Sequence, residues 1–383
     1  MASKAHREDE VPALHAGTSR VTCVPWRSLE AEVAAWDRLA RTAAEPNPFF
    51  ESWYLLPSLR HLPGTDTVSI LRFEQDGRIA GLLPVFRSSR YYRWPVPQIS
   101  NWLHDNCFCG VPLVEAGAEV PFWRAVLDWA DAQPGPALFM HLRGIVVGGP
   151  IHTSLQIAAA QDGRQVEVVH REARAMLASD LAPAAYLETS LSGKKRKELR
   201  RQAARLAEEG PLSVDRRDDD DGIAQWCDDF LRLEMSGWKG RAGSALGSAQ
   251  GTARLFRASL EGAAAQGRLE RLTLTLDERP IAMLATFLTP PGAYSFKTAF
   301  DEAYSRYSPG VLLQRENLAM LERPEIAWSD SCASADHPMI DHLWRERREI
   351  GRLSIAIGGS LRRVAFRQFV RAETARHPAG PRS

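Results

Sequence analysis

The sequence predicts an α/β (α+β) fold assembled from two related units. A hairpin signature occurs twice, as "DTVSILRFEQDGRIAGLLPVF" (66–86) and "LERLTLTLDERPIAMLATFL" (269–288), each reading as strand, Asp-led turn and strand. Asp76 and Asp277 lead the two turns, 201 residues apart, and each hairpin follows an aromatic-containing helical segment, at 48–60 and 250–265. The length of 383 residues suits two domains, each with its own core. These features favour two units joined near 172–190 over one large sheet.

The elements follow in order. Residues 1–20 read as a polar tail. Leu29, Val33, Trp36, Ala40 and Ala43 share one helical face behind Ser28 as N-cap. After the first hairpin come a helix at 121–132 and strands at 137–142 and 164–170, closing an N-terminal domain over 21–180. A second domain, 181–370, opens with "LSGKKRKELRRQAARLAEEG" (191–210), whose apolar stripe is Leu199, Ala203 and Leu206. Next come a helix at 223–240 and a Gly-rich segment at 240–251 that reads as a flexible loop. The strand 293–300 alternates, with Tyr294, Phe296, Thr298 and Phe300 on one face and Ala293, Ser295, Lys297 and Ala299 on the other. Lys297 and Asp301 among small residues suit a site wall better than a core wall. Residues 371–383, rich in Arg, Pro and Gly, read as a second tail.

Composition narrows the function classes. A net charge of +1 provides no global field for DNA or membrane. Five scattered cysteines form no disulfide framework, and "MASKAHREDE" lacks an apolar leader core, so a cytoplasmic protein is expected. No nucleophile elbow, phosphate-binding lysine loop, dinucleotide fingerprint or zinc-protease helix is present. "HDNCFC" (104–109) lacks a second ligand pair, so buried thiols are expected there, with no metal.

Three stretches carry candidate chemistry. In "YSRYSPGVLLQREN" (304–317), Ser308, Pro309 and Gly310 can start a helix whose free amides, with Arg306, would hold an anion. A plain capped helix stands equal to that reading. Lys194, Lys195, Arg196, Lys197, Arg200, Arg201 and Arg205 crowd a helix start, against the macrodipole. Either an anionic partner or the acidic run "DRRDDDD" (215–221) balances them. Asp330, Asp336, His337, Asp341 and His342 form a titratable cluster in 329–348, suited either to acid/base work or to a solvated loop. Trp238 and Lys239 read as a lid anchor or as a helix-end aromatic. The Arg-rich stretch from 345 is expected to pack as a basic helix, with a membrane or complex contact as the alternative.

The stretches "LSGKKRKELRRQAARL", "EMSGWKGRAGSAL" and "AFDEAYSRYSPGVLLQREN", together with "WSD" and "DGRIAGLLPVF", resemble the GNAT acyltransferases, in particular the double-GNAT group that includes CelD-type and Fem-type proteins. The resemblance implies two GNAT-like units, each a mixed, mainly antiparallel sheet flanked by helices, with acyl-CoA (acetyl-CoA or another) as co-substrate in the second. It implies direct N-acyl transfer to the amine of a small-molecule acceptor, such as an amino-sugar or exopolysaccharide precursor. Arg306, Ser308, Gly310 and Val311 would serve the pyrophosphate. Asp330 or His337 would be the base, and Lys297, Asp301, Tyr304, Trp238 and Lys239 would contact substrate. Two rivals stay open. One is a Fem-type transferase fed by aminoacyl-tRNA, disfavoured because the long heptad arm is missing. The other is a non-catalytic scaffold in a polysaccharide-building complex. A monomer is the default expectation.

Overall fold

The computed structural model describes residues 19–335, 337 and 339–376. The first half contains β1 (Ser19–Pro25), α1 (Val33–Thr42), α2 (Ser52–His61), β2 (Ser69–Gln75), β3 (Arg78–Ser88), β4 (Gln98–Asn101), β5 (Leu113–Val114), α3 (Glu119–Ala132), β6 (Phe139–Val146), α4 (Pro150–Gln161) and β7 (Val166–Leu177). The second contains α5 (Pro183–Ser190), α6 (Gly193–Ala207), β8 (Leu212–Arg217), α7 (Ile223–Ser236), α8 (Trp238–Arg241), α9 (Gln250–Ala265), β9 (Leu269–Leu276), β10 (Arg279–Thr289), β11 (Gly292–Phe300), α10 (Pro309–Glu316), β12 (Trp328–Asp330), β13 (Glu346–Ala356) and α11 (Ser360–Arg376).

Both hairpins form as the sequence requires. Asp76 and Gly77 turn at φ 52° and 75°, and Asp277 and Glu278 at 48° and 62°. Left-handed backbone at both central positions gives a turn whose twist matches the flanking strands. The first helix begins later than expected. Leu29 lies in a 3-10 turn, α1 starts at Val33, and the Ser28 hydroxyl bonds back to the Pro25 carbonyl instead of capping. The apolar face is as read, with Leu29, Trp36 and Ala40 buried.

The repeat is realised within one continuous sheet, which corrects the expectation of two separate ones. Its order is β1-β2-β3-β4-β6-β13-β7-β12-β11-β10-β9-β8, with β5 beside β3. From either edge inward, five strands of one unit are followed by one from the other half of the chain. β13 pairs with β6, β7 pairs with β12, and β7 and β13 pair with each other. The Arg-rich stretch from 345 therefore begins as a strand, because the alternation in "ERREIGRLSIA" (346–356) suits a sheet; only from Ser360 does it become a helix. That helix packs Phe366 and Val370 against Phe139 of the first unit and runs to Arg376, six residues into the stretch read as a tail. Ser19 and Arg20, read as tail, begin β1.

One core spans both units. Phe49 meets Tyr54 and Phe108 of its own half edge-on, at 5.0 and 5.7 Å between centroids, and Tyr294 of the other at 5.6 Å. Rings packed this way add about 0.5–1.5 kcal/mol each beyond area burial. The helices preceding the two hairpins, α2 and α9, lie against each other. Gly262 allows that approach, since a Cβ there would stand 2.8 Å from Trp53 Cβ.

Candidate functional site

β11 and β12 run parallel for only three residue pairs, Gly292–Tyr294 against Trp328–Asp330, and then part. At the parting β11 carries a bulge. Ser295 pairs with Thr286 and Lys297 with Ala285, leaving Phe296 outside the ladder. The clean alternation expected for this strand therefore breaks at Phe296. Lys239 Nζ reaches the Thr298 carbonyl on the same strand at 3.4 Å.

Lys297 stands next to the bulge. Its ammonium lies 5.0 Å from the Phe108 ring centroid and 5.6 Å from that of Phe296. Burial, then the charge of Lys239, lowers its pKa to about 8. Lys239 is itself paired with buried Glu234, at 2.9 Å, and Glu234 also accepts the Leu246 amide at 2.7 Å. Across from Lys297 comes a segment of the first unit. His104 stacks on Tyr54 and shares a hydrogen bond with the Ser58 hydroxyl at 3.1 Å. Burial first, then Lys297, pushes its pKa down to about 3. His337, beyond β12, is half-buried with a lowered pKa, from burial and then Lys239, and its Nδ1 has no partner among the described residues. His104, Phe108, Lys239, Lys297, Thr298 and His337 all keep partial solvent access while the strands around them are buried. They line a recess between the two units.

Asp330 does not belong to that recess. It is 1% exposed, sits 3.5 Å from Arg174 and 3.4 Å from Arg348, and accepts the Cys332 amide at 2.8 Å. Arg174 comes from β7 and Arg348 from β13, the two exchanged strands. Arg348 also stacks over Trp328 at 4.0 Å and approaches Glu45 of the first unit at 3.7 Å. A carboxylate enclosed by two guanidiniums fastens the strand crossing, where no acceptor can reach it, so Asp330 is a poor base. Neither arginine stands out in the sequence; each is one more basic residue in a strand.

The helix-start residues are only partly arranged as expected. Ser308 turns at φ 53° and its carbonyl, not its hydroxyl, receives the Val311 and Leu312 amides. Gly310 faces inward, because a Cβ would stand 2.5 Å from Met339 Sδ and 3.2 Å from Phe300. Packing, rather than approach of a phosphate, accounts for this glycine. Arg306 stacks on Tyr307 at 4.6 Å and pairs with Glu209 at 2.8 Å, yet stays exposed. Asp301 caps the turn that follows β11, accepting the Ala303 amide at 2.9 Å, and approaches Arg279 at 3.3 Å. Tyr304 packs on the second unit's core, and exposed Trp238 is tied through its amide to Glu302. The structure brings Lys297, Lys239 and His337 together; Asp301, Tyr304 and Trp238 lie outside the recess. Asp341 pairs with Arg347 at 2.8 Å, and Asp336 lies outside the described residues.

α6 passes beside this helix start, with Gln202 donating to the Arg306 carbonyl at 3.4 Å. Lys194, Lys195, Lys197, Arg200 and Arg205 are exposed, and their side chains make no hydrogen bond or ion pair among the described residues. The acidic run does not balance them: Asp218 pairs with Arg323, Asp219 with Arg271, and Asp215 and Asp221 with Arg217. Among the described residues no cluster of three His, Cys, Asp or Glu is arranged for a metal, and the Cys107 thiol bonds instead to the Cys109 carbonyl.

A sequence profile of the acetyltransferase (GNAT) domain family matches residues 193–337, which contain α6, β11, the helix start and His337. The match lies within the second unit. FemX superposes with a TM-score of 0.54 at 11% identity, over 88% of this chain and 98% of that one. The C-terminal domain of a putative lysylphosphatidylglycerol synthetase from Agrobacterium fabrum gives 0.53 at 12% identity, covering 88% and 95%. A conserved protein of unknown function from Bacteroides thetaiotaomicron gives 0.51 at 14% identity, covering 85% and 97%. At such identities these likenesses are of fold alone. No curated protein matches the chain.

Proposed function

We propose that this protein is a double-GNAT acyltransferase, which transfers an acyl group directly from acyl-CoA to an amine held in the recess beside β11. The observation that carries this reading is the parting of β11 from β12 with a bulge at the parting. A strand amide released from its ladder is a fixed donor of the kind that polarises a carbonyl where negative charge develops. His337, neutral at pH 7 and with a free ring nitrogen, takes the amine proton. Direct attack accords with the thiols nearby: burial holds Cys107, Cys109 and Cys332 above the ordinary cysteine range, so none is a ready nucleophile. The donor's phosphates lie between the start of α10 and the exposed cations of α6, with Arg306 at the border.

Thermal unfolding with and without acetyl-CoA or CoA tests this. A ligand at 100 times its Kd adds about 2.7 kcal/mol of stability, a midpoint shift of several degrees for a chain of this size. Arg306→Gln should weaken CoA binding several-fold while changing the ligand-free midpoint little, since an exposed ion pair contributes little to stability. No shift in the wild type with any acyl-CoA would refute the proposal. The unpartnered cations of α6 support a second reading, an aminoacyl-tRNA donor. That reading requires RNA affinity that falls steeply with salt.

A further inference from the structure

Lys297 is a largely enclosed ammonium that keeps partial solvent access and has no counter-ion among the described residues. Among the described residues it makes no hydrogen bond and no ion pair, and only the faces of Phe108 and Phe296 lie against it. Every nearby carboxylate with a fixed position is committed elsewhere. Glu234 is held by Lys239 and the Leu246 amide, Asp330 by Arg174 and Arg348, and Asp301 by Arg279 and the Ala303 amide. Asp105 is exposed and bonds to nothing, acting on Lys297 only through space. The remaining titratable neighbours are Lys239, a second cation, the Cys332 thiol, which burial keeps protonated, and the His104 imidazole, none of which carries a negative charge.

Buried charges in folded proteins are paired. An unpaired one that lines a solvent-reachable recess, beside the strand bulge, marks the position of a missing anion. We infer that the acceptor carries an anionic group, a carboxylate or a phosphate, near its reactive amine, and that Lys297 receives it. This rests on the acyl-transfer reading and narrows it: the acceptor is an amino acid, a peptide amine beside a carboxylate, or a phosphorylated amino sugar, and not a neutral amino sugar. The same charge explains why the recess has aromatic walls, since Phe108 and Phe296 steady an ammonium during the intervals without ligand.

The test uses product-like amides and needs no turnover. Saturation-transfer NMR, with CoA present, compares N-acetylglutamate, N-acetylglucosamine 6-phosphate and neutral N-acetylglucosamine on the full chain, on Lys297→Met and on Lys297→Arg. At least one anionic probe should bind the wild type at least tenfold more tightly than N-acetylglucosamine, lose that advantage in Lys297→Met and regain part of it in Lys297→Arg. Three results would overturn the inference: a neutral probe that binds as well as the anionic ones, anion binding unchanged in Lys297→Met, or no binding of either anionic probe to the wild type. A loss of CoA affinity in Lys297→Met with no change for the anions would assign the lysine to the donor and overturn it also. CoA binding to the wild type, measured in the same samples, judges the acyl-transfer reading separately.

Discussion

Each unit contains a place where two parallel strands pair for three residues and then part: β4 from β6 after Ser100 and His141, β11 from β12 after Tyr294 and Asp330. In the first unit the parting is filled by the chain itself. Asn101 donates to the Gly110 and Arg143 carbonyls at 3.1 and 2.8 Å and accepts the Arg143 amide at 2.9 Å, while the Gly110 amide bonds to Gly144 at 2.8 Å. In the second unit, among the described residues, no backbone segment bridges the strands in this way; only the Arg348 side chain reaches both, Tyr294 at 3.3 Å and Asp330 at 3.4 Å. Its far wall is the filling segment of the first unit, which presents His104 and Phe108 to Lys297. The same fold element is thus a structural seam when its gap is closed by backbone, and a candidate site when polar side chains are left facing solvent. The fold holds two gaps, and the segment that seals one forms the wall of the other.

The largest expected effect concerns the fastening between the units. Asp330→Asn leaves Arg174 and Arg348 buried without their shared carboxylate. Breaking a buried ion pair from one side costs about 3–5 kcal/mol, to be read from urea denaturation. A variant that unfolds like the wild type but loses turnover would return Asp330 to the role of base. Next come the two seams. Gly110→Ala places a Cβ 1.9 Å from the Arg143 carbonyl oxygen, rigid backbone, and should cost about 2–3 kcal/mol. Gly310→Ala meets first the flexible Met339 side chain and should cost about 1 kcal/mol or less. Equal costs would erase the distinction between sealed and unsealed gap. A further effect is a pH dependence. Lys297 has its pKa lowered from 10.5 to about 8, so the unfolded chain holds the proton more tightly between these values. The charge destabilises the fold below pH 8, and that penalty fades as pH rises toward 10.5. Urea midpoints of wild type and Lys297→Met should therefore converge between pH 8 and 10, the variant being the more stable at pH 7. A constant difference would mean that the ammonium is not strained.

How much of this was legible depended on the range of the signal. The hairpins were readable because Asp-Gly and Asp-Glu turns are local and left-handed backbone selects their residues. The basic start of α6 and the Ser-Pro-Gly helix start were readable because each is a local run of residues. The strand exchange was not, since nothing in "RREIGRLSIAIG" says that its partners are β6 and β7 rather than a neighbour in sequence. Asp330 looked catalytic because an acid after a short strand is a motif, whereas Arg174 and Arg348, which neutralise it, lie 156 and 18 residues away. His104 was read as part of a thiol cluster, and only the packing of the two units reveals that it faces Lys297. The bulge at Phe296 left no trace either, because no glycine or unusual residue marks it.

The most direct test of the account is hydrogen–deuterium exchange on the full chain with and without acetyl-CoA. The account predicts slowed exchange in 295–312 of the second unit, where the strand parts and α10 begins, and none in the paired strands of the sealed parting, β4 and β6. Protection confined to β4 and β6, or absent from both partings at saturating acetyl-CoA, would contradict it.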